Sequence, residues 1–202
     1  MIVPRALRPG DRVRVIAPSG PFDHALVLKG LGWLRHRYDV AFGPGLFQRD
    51  GFLAGSDPRR LEELTEAFAD RSARAVVAAR GGYGLNRIAH RLGTECLRDD
   101  PKWVVGFSDV TALHVEMQRA GLASLHAHNL AGLGRGDASG REEWLRALEY
   151  PGEPRTFEGL AGFRPGCACG PLVGGNLTVL FTCAAAGRLR LPDDAIVFLE
   201  DV

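Results

Sequence analysis

Three short stretches combine residue types at spacings that chemistry needs. The first is Gly106-Phe107-Ser108-Asp109-Val110-Thr111, where a serine stands between an apolar run and a helical pattern. A serine at a sharp strand-to-helix turn projects its hydroxyl from the sheet edge, where it can act as a nucleophile. The helix N-terminus behind it offers backbone N–H groups to a developing oxyanion, and the N–H of Asp109 is one such donor. The same serine also suits an N-cap, and the turn lacks the second glycine of the Gly-x-Ser-x-Gly elbow. The second stretch is Arg80-Gly81-Gly82-Tyr83-Gly84. It reads as a tight turn with Gly81 and Gly82 at left-handed positions, or as a second oxyanion donor with Tyr83 as a substrate wall. Its glycine spacing fits neither the Walker nor the dinucleotide fingerprint, so a phosphate cradle is the weaker reading. The third stretch is Phe198-Leu199-Glu200-Asp201. A carboxylate at the end of a strand can orient a catalytic imidazole, or it can simply solvate the strand end.

Histidines and cysteines complete the inventory. His24, His36 and His90 fall on helix surfaces, His114 lies in the helix after Ser108, and His126 and His128 follow an apolar run ending near Leu125. The last two stand where a sheet-edge site would have them, as base, substrate contact or neither. Cys167-x-Cys169 has no second pair at ligand spacing, and Cys96 and Cys183 are isolated, so no metal site is expected. The thiols are expected to be reduced.

These residues need elements to position them. Apolar runs at 13–17, 40–42, 75–79 and 103–107 read as strands. Asp23 caps a helix carrying Leu26, Leu31 and Leu34, and Ser56 or Asp57 caps another with Pro58 in its first turn. Leu61, Leu64, Ala67 and Phe68 share one face of that second helix. Further helices are expected around Ile88 and Leu92, and around Leu113 and Met117. Alternation of strand and helix predicts an α/β fold with a mostly parallel sheet flanked by helices, and ligands at the carboxyl ends of its strands. From Gly132 glycines multiply and periodicity fades. The organisation expected is an N-terminal domain over 1–135, a connecting segment over 136–165, and the beginning of a second, smaller β-rich domain over 166–202. That second unit opens with an apolar stretch at 171–186 and closes on a buried-looking strand at 196–202.

Composition narrows the function classes. Of 202 residues, 46% are hydrophobic and 24% charged, which excludes disorder and supports a substantial core. Twenty-five basic against 24 acidic residues leave a net charge of +1, against a nucleic-acid or membrane-surface role. The stretch Met1-Ile2-Val3-Pro4-Arg5 lacks the apolar h-region expected of a signal peptide, and the longest mostly apolar stretch, 177–186, falls far short of the roughly 20 residues of a spanning helix.

Together the motifs resemble the L,D-carboxypeptidase family of serine peptidases, which includes muramoyl-tetrapeptide carboxypeptidases and microcin C immunity peptidases. The resemblance runs from Leu7-Arg8-Pro9-Gly10-Asp11 and Val15-Ile16-Ala17-Pro18-Ser19-Gly20 through Leu53-Ala54-Gly55-Ser56-Asp57 to the three stretches above, with Gly174-Gly175-Asn176-Leu177 between the last two. It implies Ser108 as nucleophile, the N–H groups of Asp109 and the Gly81-Gly82 turn as oxyanion hole, and Glu200 as the acid of a Ser-His-Glu triad. It implies no metal or cofactor, a cytoplasmic homodimer, and a small murein tetrapeptide-like substrate that loses its terminal D-alanine during cell-wall recycling. Arg80 is assigned to a substrate carboxylate. The family's histidine lies beyond the glutamate, so the chain is expected to be truncated before its base, and His126-Ala127-His128 is not that base. Two alternatives stay open: an amidase acting on a peptide-nucleotide antibiotic, and a non-catalytic α/β binding module lacking a complete triad.

Overall fold

The computed structural model describes residues 1–136 and 138–201, and their side chains apart from those of residues 94–96, so the Cys96 thiol lies outside the described residues. Five strands, β1 (Arg12–Ile16), β2 (Asp39–Phe42), β3 (Ala73–Ala78), β4 (Trp103–Gly106) and β5 (Leu125–His126), form one sheet in the order β2-β1-β3-β4-β5. All four pairings are parallel, with Val13 opposite both Val40 and Ala75, and Gly106 opposite His126. Successive strand side chains point to opposite faces, so a strand apolar at every position feeds two cores. Val76, Ala78 and Val104 face Leu64 and Phe68 of α2 (Asp57–Ala69), Leu113 and Met117 of α4 (Thr111–Arg119) and Leu180 of α7 (Leu177–Ala185). Val13, Val15, Val77 and Val105 face Leu31 and Leu34 of α1 (His24–Arg35), Leu133 of α5 (Leu130–Arg135) and Trp144 and Leu148 of α6 (Ala138–Glu149). A short α3 (Thr94–Asp99) precedes β4. The α/β architecture read from the sequence is the one observed.

Both capping signals work as their chemistry suggests. The Asp23 carboxylate accepts from the N–H groups of Ala25 and Leu26, and the Ser56 hydroxyl from that of Arg59, with Pro58 in the first turn.

Three local expectations give way. The stretch after Gly84 forms two 3-10 turns, Leu85–Arg87 and Ala89–Arg91, separated by Ile88 at φ −126°, rather than an α-helix. Apolar residues three apart serve a 3-10 turn as well as an α-helix, which is why the pattern misleads. The glycine-rich stretch after 132 holds α5 and α6, and irregular chain begins only at 150. There tertiary contact overrides weak propensity. Finally, β6 (Leu172–Asn176) and β7 (Ile196–Glu200) pair in parallel as a separate two-stranded sheet, but β7 is not buried. Among the described residues it is paired to β6 alone, and Leu199 is 54% exposed.

Cys183 is buried while Cys167 and Cys169 are exposed, and all three are free thiols. No helix among the described residues is long and apolar enough to cross a membrane.

Helices α1 and α5 cross at backbone contact. A Cβ on Gly134 would stand 1.9 Å from the Leu26 carbonyl oxygen, and one on Gly30 2.4 Å from that of Leu130. Gly134→Ala is therefore expected to lower stability by about 3 kcal/mol, as an overpacked core does. Urea unfolding checks this, and an unchanged midpoint would contradict so close a crossing.

Candidate active site

The carboxyl ends of β1, β3 and β4 converge on one short turn. β4 ends at Gly106, Phe107 is extended, and Ser108 adopts φ +62° before a single 3-10 turn (Ser108–Val110) leads into α4. A left-handed serine is costly for an L residue, and such residues cluster at functional sites where their surroundings hold them. Ser108 is no N-cap: its hydroxyl caps neither the 3-10 turn nor α4. Gly81 lies directly against it. A Cβ there would stand 3.0 Å from both the Phe107 carbonyl oxygen and the Ser108 Cβ, and 3.3 Å from the Ser108 Oγ. The positive φ expected of the Gly81-Gly82 pair falls instead on Gly82 and Gly84, at +116° and +118°. Gly81 is glycine for closeness, not for conformation.

Helix α2 ties these loops together from beneath. The Arg60 guanidinium, fully buried, donates to the carbonyl oxygens of Pro18 and Gly84 and to the Asp57 carboxylate. Arg87 donates to the other oxygen of Asp57 at 2.7 Å. Arg59 donates to the carbonyls of Ala17 and Ala54 and to Glu63, which also accepts the Ala17 N–H at 2.7 Å. Burial pushes the Glu63 carboxyl above its ordinary range against the opposing pull of Arg59. Across the top, Gly20 N–H donates to the Gly81 carbonyl at 3.2 Å, closing the switch point between β1 and β3.

Each residue singled out by sequence has a definite place. Asp109 follows Ser108, but its side chain is 2% exposed and accepts the Leu85 N–H at 2.9 Å. Burial raises its pKa, opposed by that N–H and by Arg60. Its carboxylate thus braces the loop between Gly84 and Leu85, a role that spacing did not suggest. Tyr83 is exposed and its ring lies 5.8 Å from that of Phe52, also exposed. Arg80, assigned to a substrate carboxylate, spends a donor on the Pro21 carbonyl. Glu200 lies opposite Asn176 at the end of the β6–β7 pair, and the Asn176 N–H donates to Thr111 Oγ1 at 3.0 Å, three residues after Ser108. That contact joins the end of the β6–β7 pair to the elbow. Glu200 Oε1 is buried and unbonded, as is His126 Nδ1. Burial lowers the His126 pKa while Glu200 opposes the shift.

A cavity of about 760 Å³ runs along the β5 edge, lined by Phe107, His126, His128, Trp144, Val173 and Phe198 among others. Ser108 does not line it, although Phe107 does. His114, to which spacing assigns no role, is buried beneath the elbow, with Nε2 2.9 Å from the Gly106 carbonyl oxygen and Nδ1 2.9 Å from Ser124 Oγ. Every residue of α4 from Thr111 to Met117 is buried, so no helical periodicity set His114 apart in the sequence.

Residues 13–127 match the model of the LD-carboxypeptidase N-terminal domain, which is more than half of the chain. The chain belongs to the LD-carboxypeptidase family. Among relatives of this LD-carboxypeptidase chain, the murein tetrapeptide carboxypeptidase of Pseudomonas aeruginosa is 32% identical over 95% of this chain and 66% of its own length. An MccF-like protein from Bacillus anthracis superposes with a TM-score of 0.88 at 25% identity, covering 98% of this chain and 69% of that one. The muramoyltetrapeptide carboxypeptidase from Oxalobacter formigenes superposes with a TM-score of 0.81 at 26% identity, covering 93% and 65%. The chain spans just under two thirds of the length of the curated relatives it matches.

Two predictions test this architecture. Arg60→Met strands the Pro18 and Gly84 carbonyls and the Asp57 carboxylate, and is expected to cost about 3 kcal/mol in urea unfolding. His114 is pushed down to about 4 by burial, opposed by its bond to the Gly106 carbonyl. The folded state therefore resists a proton that the unfolded chain accepts near pH 6.5. The stability this group provides is complete above pH 6.5 and drains by about 3 kcal/mol as pH falls toward 4. The raised carboxyls of Asp109 and Glu63 act in the opposite sense, so the measurement is the difference in Tm against pH between the wild type and His114→Gln. Parallel curves would contradict it.

Proposed function

We propose that the protein is a serine peptidase of the L,D-carboxypeptidase type that removes the terminal D-alanine of a murein tetrapeptide in cell-wall recycling. The observation that carries this reading is Ser108 at φ +62° with the Gly81 backbone against its side chain, in a chain of the LD-carboxypeptidase family. Ser108 Oγ attacks the scissile carbonyl, and the N–H groups of Asp109 and the Gly81-Gly82 turn receive the oxyanion. The tetrahedral intermediate collapses with departure of D-alanine as the free amine, and water then cleaves the acyl-serine. Glu200 orients the imidazole that takes and returns the proton, an imidazole assigned to neither His126 nor His128. Names of relatives support the substrate class: murein tetrapeptide for the Pseudomonas aeruginosa protein and muramoyltetrapeptide for the Oxalobacter formigenes one. In the same reading the enzyme works in the cytoplasm as a homodimer.

A second reading, an amidase acting on a peptide-nucleotide antibiotic, draws on the MccF-like neighbour and on the exposed Tyr83–Phe52 pair, whose aromatic faces suit a nucleobase.

The experiment is mass-spectrometric detection of D-alanine released from murein tetrapeptide by a full-length version of the protein. Ser108→Ala is expected to lower the rate roughly a thousandfold or more. Undiminished release by that variant overturns the assignment of Ser108. Turnover of an aminoacyl-nucleotide amide in preference to tetrapeptide selects the second reading. Turnover of neither leaves the α/β binding module.

A further inference from the structure

We propose that His114 is a positioning residue for the nucleophile turn, a strut from α4 that fixes the orientation of the Gly106–Phe107 peptide and, through it, of Ser108. The proposal rests on Ser108 being the nucleophile. His114 is 7% exposed, and both of its ring nitrogens are engaged. A carbonyl oxygen only accepts, so Nε2 carries the hydrogen that points at the Gly106 carbonyl. With the ring neutral in its buried setting, Nδ1 is bare and accepts from the Ser124 hydroxyl. The Gly106 carbonyl receives a second donor, the Ala127 N–H, at 3.2 Å.

Two donors from different elements, one on β5's flank and one on α4, therefore fix a single peptide plane at the end of β4. The chain then has only Phe107 in which to turn before Ser108 takes φ +62°. Because α4 begins at the elbow itself, His114 closes a ring from Gly106 through Ser108 and Thr111 back to Gly106. An apolar side chain of similar volume would fill the same space and leave the Gly106 carbonyl held by the Ala127 N–H alone. The ring of His126 lies 5.8 Å from that of His114, and a proton on it would further disfavour one on His114.

The test compares wild type, His114→Leu, which keeps volume, and His114→Gln, whose amide can still donate to the carbonyl. Three readouts are taken on the full chain: kcat and KM on murein tetrapeptide, the rate at which a phosphonofluoridate labels Ser108, and the amide ¹H–¹⁵N shifts of Phe107, Ser108 and Asp109. His114→Leu is expected to lose roughly 10- to 100-fold in kcat and in labelling rate, with KM nearly unchanged, as a misplaced reacting group does. The three amide shifts move with it, and His114→Gln restores most of the rate and the shifts. A folded His114→Leu with wild-type rate and shifts, or a Gln variant as impaired as Leu, overturns the proposal. Should His114→Leu fail to fold, Ser124→Ala decides: it releases Nδ1, and unmoved shifts at residues 107–109 overturn the strut. Absence of labelling at Ser108 in the wild type overturns the nucleophile reading instead, while the amide shifts still report on the strut.

Discussion

The positive φ of Ser108 is the constraint around which the sheet edge is arranged. A left-handed non-glycine residue costs on the order of 1–3 kcal/mol and persists only where its neighbours leave no alternative. Here they come from every side. Gly81 presses its backbone on the Ser108 side chain, the buried Asp109 carboxylate is bonded to the Leu85 N–H, and Thr111 receives the Asn176 N–H. Two of these contacts come from the loop after β3 and one from the end of β6, so the turn at the end of β4 is held by its neighbours rather than by its own sequence. The loops that do the pressing are held in turn by Arg60, whose guanidinium bonds the Pro18 and Gly84 carbonyls at once.

Burying Arg60 and Glu63 inside this edge is expensive unless every polar atom finds a partner. Much of the cost is offset by backbone groups that loops would otherwise leave unpaired. The carbonyls of Ala17, Pro18, Ala54 and Gly84 and the Ala17 N–H are all satisfied by side chains of a single helix. Helix α2 thus substitutes for ladder hydrogen bonds where the strands have ended. It lets glycine-rich loops lie close to the sheet edge with these backbone groups satisfied.

Much of this was legible in the sequence, and for physical reasons. The short apolar runs at 75–79 and 103–107, rich in valine, fit strands covered on both faces, and Asp23 and Ser56 announce helix starts through hydrogen bonds that depend on a few neighbouring residues. The serine turn was visible for the same reason. What escaped notice depends on contacts distant in sequence. Nothing near Asp109 says that its carboxylate meets Leu85, and nothing near His114 names Gly106 and Ser124 as partners. The left-handed conformation expected of Gly81 falls on its neighbours instead, and a Cβ at Gly81 would meet Ser108 and Phe107 of another strand's loop. Glycine spacing around 132–140 weakened the helical pattern because Gly134 serves the α1 contact rather than the helix it sits in.

The parallel ladder also dictates an order of assembly. β1 sits between β2 and β3, and Val13 finds its second partner only at Ala75. Parallel neighbours cannot close as hairpins, so each pairing waits for an intervening crossover to be made. A chain emerging from the ribosome therefore holds β1 with one open edge until β3 has been synthesised, and the elbow at Ser108 later still. Non-local pairing of this kind slows folding and prolongs exposure of apolar strands. The serine turn, whose Thr111 accepts from the Asn176 N–H, completes its geometry only once residues on both sides of it in the chain have been made.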